Sequence, residues 1–257
     1  MLFRLYPFLA TVFYLGLIIF SLVFFDRSFV WWVLGVGAVL VYSFVKKSIG
    51  KFSGTFLPVC LILGSLPFLS LMSTLAIRSV SIGILTVALY FYLLAKGRLN
   101  ENSFDKLAIA IINGINFLVF FIWANLLFAS FINFSEQVYP VWVMLLLSAL
   151  LSFIISRDTL ETNLSVAIKS RKLEKNDINL ASILTSLLTS QITWALAFYP
   201  FRYRSSAMIL LAVFYIFFTS AQFFLIKEDR KRKLAKDIIV GLVAIALVLI
   251  TSKWKFY

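Results

Sequence analysis

Long apolar runs alternate with short polar breaks along the whole chain, and most runs approach the length of a bilayer-crossing helix, about 20 residues. The pattern predicts nine spans, at 7–25, 29–45, 55–77, 79–95, 107–133, 138–155, 182–201, 206–226 and 238–252. None shows the strict alternation of a barrel strand, and inside hydrocarbon each backbone N–H and C=O needs an internal partner, so the spans are read as helices. Asp26, Arg27 and Ser28 form one tight break and Ser135, Glu136 and Gln137 another. Only Arg78 separates the third span from the fourth, so that turn must borrow residues from both helix ends. The fold class is all-α: a polytopic transmembrane helical bundle of about nine spans arranged as hairpins, with residues 1–257 forming a single integral membrane domain.

Residues 156–181 interrupt the pattern. Asp158 and Glu161 have the spacing of a capping box, Lys169, Arg171 and Lys172 suit the far end of a helix dipole, and Leu160, Leu164, Ala167 and Ile168 recur at helical spacing. The segment predicts an amphipathic helix on the cytoplasmic membrane surface.

Charge then gives the spans a direction. Of 24 Lys and Arg, only Arg27, Arg78, Arg202, Arg204, Lys253 and Lys255 fall on the second side of the alternation. By the positive-inside rule the N-terminus is cytoplasmic and the C-terminus outside, as expected for a protein of a bacterial cytoplasmic membrane. The net charge of +13 sits between spans and not on a water-soluble basic face, so the implied partners are membrane lipids, anionic on the cytoplasmic side, and not nucleic acid.

Composition narrows the chemistry. The chain is 62% hydrophobic and only 14% charged, with no His and one cysteine, Cys60. Intrachain disulfides, His-dependent nucleophile systems and His-ligated metals are excluded, and no metal or cofactor motif is present.

Four groups of residues remain as candidates. In the seventh span Ser182, Ser186 and Ser190 form one four-residue ridge and Thr185, Thr189 and Thr193 the next, a hydroxyl face about 140° wide. Ser186, Thr189, Ser190 and Thr193 would line a path for a polar substrate, or the small residues would let helices approach closely. Gln191 points nearly the opposite way. In the fifth span Asn113 and Asn116 share a face, beside Ala110 and Gly114, and would hold a substrate hydroxyl or clamp helices. Pro67 breaks the third span beside Gly64, Ser65 and Ser70, as in transporters with discontinuous helices or in a plain packing kink.

The outer face supplies the last group. Asp26 and Glu136 are its only acids, with Arg27, Arg78, Arg202 and Arg204 available for a phosphate or headgroup. An acid directly after the first span resembles integral-membrane glycosyltransferases that carry acids in the first outer loop, a likeness carried by Asp26 alone. It implies an outer-face transferase using a lipid-linked donor, with Asp26 or Glu136 as base. The leading expectation is instead a non-catalytic, transport- or permease-like protein, and the third alternative is a structural or assembly subunit of a membrane complex.

Overall fold

The computed structural model describes residues 2–23, 56–101, 105–134, 141–164, 174–199, 202–226 and 231–252. These residues form eight helices: α1 (Leu2–Val23), α2 (Phe56–Ser70), α3 (Leu75–Glu101), α4 (Lys106–Phe134), α5 (Val141–Asn163), α6 (Lys175–Ala197), α7 (Tyr203–Ile226) and α8 (Lys231–Thr251). The described fold is all-α. Six helices, α3 to α8, are long and apolar enough to cross a membrane, whereas the apolar parts of α1 and α2, Pro7–Phe20 and Leu57–Ser70, are shorter. The expected second span, 29–45, lies outside the described residues, so the count that stands among them is six and not nine.

The boundary expected at Arg78 lies earlier. Pro67 occupies the last turn of α2, where it lacks a donor and crowds the preceding turn. Ser70 Oγ donates to the Pro67 carbonyl at 2.6 Å, and Leu71 N–H and Met72 N–H donate three residues back, tightening the helix end. Thr74 then opens α3, its Oγ1 accepting from Ile77 N–H at 3.4 Å. Arg78 belongs to the first turn of α3 and not to a loop.

The surface helix expected over 156–181 is also redistributed. Residues 156–163 continue α5: Asp158 is buried there, and Glu161 pairs with Arg157 at 3.3 Å. Residues 175–181 open α6, where Glu174 N–H donates to Asp177 Oδ2 at 3.3 Å. Residues 165–173 lie outside those described. The last helix likewise starts earlier than expected, because Lys and Arg are good helix formers and continue it back to Lys231, placing Asp237 inside α8.

The chain divides into two compact units, 1–119 and 120–257. In the first, α1 and α2 pack on α3. Pro7, Ala10, Thr11, Tyr14 and Ile18 make one buried face of α1, at the i, i+3, i+4 spacing of a helix stripe. Tyr14, Leu61, Ile62, Leu85, Leu89 and Tyr92 are among its fully buried side chains. In the second unit the broadest contact joins α5 to α6, followed by α7 with α8 and α6 with α7. Phe120 of α4 stacks on Phe214 of α7, ring centroids 4.2 Å apart and planes 13° apart. This adds a specific aromatic contact to the apolar packing.

Candidate functional site

The hydroxyl face of α6 is turned inward. Ser182, Thr189 and Thr193 are 0% exposed and Ser186 6%, whereas Leu184, Leu187 and Trp194 on the other face are more than half exposed. Polar inside and apolar outside is the reverse of a helix on a water-soluble protein, and it is the arrangement a bilayer favours. Gln191 is exposed on the apolar side, as its angular position predicts.

The helix in broadest contact with α6, α5, carries a second buried small-residue face not singled out from the sequence. α5 presents Ser148, Ser152, Ser156 and Thr159, each at most 1% exposed, with Trp142, Leu146 and Leu150 on its outer face. The signal was present as three serines spaced by four residues, a ridge of side chains that stand aside for a neighbouring backbone. The helices that carry these two buried small-residue faces, α5 and α6, form the most extensive contact of the second unit.

The protons of this seam stay largely within their own helices. On α6, Ser182, Thr185, Thr189 and Thr193 donate to the carbonyls of Ile178, Ala181, Thr185 and Thr189, four residues back, at 2.7–2.9 Å. Ser186 donates to Ile183 O at 2.9 Å. On α5, Ser148, Ser152, Ser156 and Thr159 do the same toward Leu145, Ser148, Phe153 and Ile155. Ser190 crosses: its Oγ donates to Leu145 O of α5 at 3.3 Å. Thr189 and Thr193, both 0% exposed, border packed atoms in this structure.

Asn113 and Asn116 stand on the part of α4 that belongs to the first unit, and the α6 stripe belongs to the second. Asn116 is fully buried and Asn113 half-buried. Gly114 beside them is exposed, and a Cβ placed there meets nothing within 4 Å.

Arg202 and Arg204 are close in sequence, and the Arg204 side chain is engaged locally. Arg204 Nε donates to Tyr203 Oη at 3.1 Å with its guanidinium 5.6 Å from that ring's centroid. The Arg202 carbonyl accepts from Ser205 N–H and Ser206 N–H at the start of α7, and its side chain is exposed. In the first unit, Arg78 Nε donates to the Met72 carbonyl at 2.8 Å, bracing the α2–α3 turn. Asp26, Arg27 and Glu136 lie outside the described residues.

Two polar links between helices had no counterpart in the spacing of the chain. Asn163 Nδ2 of α5 donates to Gln222 Oε1 of α7 at 3.5 Å, and Tyr215 Oη of α7 donates to Asp237 Oδ1 of α8 at 3.2 Å. Sequence periodicity finds residues on one face of one helix, whereas these pairs depend on which helices are neighbours. Compared with protein-family models, with curated proteins and with solved structures, the chain matches none of them.

Proposed function

We propose that this is a non-catalytic integral membrane protein whose intramembrane polar residues serve assembly, so that it acts as a structural or assembly subunit within the membrane. The observation that supports this most directly is the closed seam of α5 and α6: its hydroxyls are buried and donate mainly to their own helix carbonyls. Small residues in such a seam let backbones approach, and helix association in lipid depends on that close fit. The same reading keeps the protein in a bacterial cytoplasmic membrane with the N-terminus inside and the C-terminus outside, on the asymmetry of its Lys and Arg.

A permease-like carrier is the second reading, favoured by the division into two compact helical units, since carriers alternate access by moving one bundle against another. In that reading the α6 residues Ser186, Thr189, Ser190 and Thr193 contact substrate. The test is complementation of a strain lacking the gene by the double variant Thr189→Val, Thr193→Val. Rescue equal to wild type supports assembly. Loss of rescue, with the protein present at its normal level and unfolding temperature, would move the assignment to the carrier.

A further inference from the structure

The turn that joins α2 to α3 in the first unit converges on one residue, Met72. Its carbonyl accepts from Arg78 Nε at 2.8 Å, and its Sδ accepts from Ser81 Oγ at 3.2 Å. Met72 N–H donates to Leu69 O at 3.1 Å, so both backbone polar groups of this residue and its sulfur are tied down. It lies directly before the spanning helix that starts at Leu75, which puts it at the boundary between hydrocarbon and water. The side chain is half-buried. The other described methionines differ: Met144 is 4% exposed, and Met208, 48% exposed, stands on a side of the spanning helix α7 that hydrocarbon covers.

A thioether is a weak acceptor, and Ser81 occupies one lone pair of the sulfur. The second lone pair is the one that reacts with a peroxide. It attacks one peroxide oxygen, the O–O bond breaks and an S–O bond forms; the departing hydroxide takes the proton of the transferred oxygen and becomes water. Sulfur is oxidised by two electrons and the peroxide is reduced. Two thiols reverse the step, becoming a disulfide as the oxygen leaves as water.

The product is polar where methionine was apolar, which disrupts a packed core. At Met72 the surroundings reverse that sign. A sulfoxide oxygen is a strong acceptor, and two donors already stand against this residue: the Ser81 hydroxyl at its sulfur, and the Arg78 guanidinium, which uses one of its five N–H groups on the Met72 carbonyl. An S–O dipole facing a guanidinium makes a charge-assisted hydrogen bond.

We propose that Met72 is a site of oxidation by peroxides, and that its sulfoxide locks the α2–α3 turn through Ser81 and Arg78. The site is independent of the assembly reading, since it uses no residue of the α5–α6 seam and no partner protein.

The test treats the full chain in nanodiscs with hydrogen peroxide, maps oxidation by peptide mass spectrometry and follows thermal unfolding. Met72 is expected to gain an oxygen before Met144 and Met208, and the unfolding midpoint to rise by about 2–4 °C as it does. Met72→Leu should remove the rise while leaving oxidation of the other methionines unchanged. In Ser81→Ala, Met72 should still oxidise with a smaller rise, because one of its two donors is gone. Methionine sulfoxide reductase with dithiothreitol should return the oxidised wild type to its starting midpoint. Oxidation of Met144 or Met208 as fast as Met72 would overturn the site. A midpoint that falls as Met72 oxidises would overturn the lock and make the event ordinary oxidative damage, and a rise that persists in Met72→Leu would assign it to another residue.

Discussion

Tyr215 Oη donates to Asp237 Oδ1 at 3.2 Å, tying α7 to α8 through a half-buried phenol and a carboxylate inside the last helix. A hydrogen bond to a charged acceptor contributes about 1.5–3 kcal/mol where solvent is excluded, and partial exposure lowers this to about 1 kcal/mol. Tyr215→Phe and Asp237→Ala should each lower the midpoint of thermal unfolding in detergent. The double variant should fall by less than the two added together, because both remove one interaction. Strict additivity would show that the pair contributes nothing.

Gly241 of α8 faces α7 so closely that any added side chain requires Ile216 to shift. A Cβ there would lie 2.5 Å from Ile216 Cγ1 and 2.7 Å from its Cδ1. Gly241→Ala should destabilise by about 1–3 kcal/mol, the usual cost of overpacking. Adding Ile216→Ala should recover part of the loss, which a general intolerance of α8 to substitution would not produce. Unfolding midpoints of the single and double variants decide it.

Along the seam, size should matter more than hydroxyl chemistry. Thr189 Oγ1 donates to a carbonyl of its own helix, so Thr189→Val, which keeps the shape, should cost less than about 1 kcal/mol. Ser152 is fully buried at the facing surface, and Ser152→Leu should cost about 1–3 kcal/mol or prevent stable accumulation. Comparison of expression and unfolding midpoint tests the order, and a valine variant less stable than the leucine variant would contradict it.

Cys60, the single cysteine, is buried, so a membrane-impermeant maleimide should leave the wild-type protein unlabelled. In a Cys60→Ala background, Arg98→Cys should react only in inside-out vesicles and Arg204→Cys in intact cells, both native positions being exposed. The reverse pattern would invert the orientation drawn from the Lys and Arg distribution.

Much of the helical layout was legible in the chain because crossing a bilayer demands long apolar runs. The expected 107–133 became α4, Lys106–Phe134, and the expected 206–226 became α7, Tyr203–Ile226. Ends were less legible where local hydrogen bonds override hydropathy. Ser70 and Thr74 stop one helix and start the next within an uninterrupted apolar stretch, so the turn precedes the only charge, Arg78. The inward face of α6 could be read from its four-residue ridges, and so could the outward position of Gln191. What that face meets could not, because Ser148, Ser152 and Ser156 become its counterpart only when α5 and α6 are neighbours. The same holds for Asn163 with Gln222, which lie 59 residues apart in the chain.

The self-directed hydroxyls of α5 and α6 bear on how these helices can move. A ladder of cross-links would act as a ratchet with fixed teeth, each step requiring several bonds to break together. Here most of the seam hydroxyls named above donate within their own helix, and Ser190 to Leu145 is a catch between the two, so a small axial slip of one helix along the other leaves those local bonds intact. Resistance to shear at this contact then comes largely from shape.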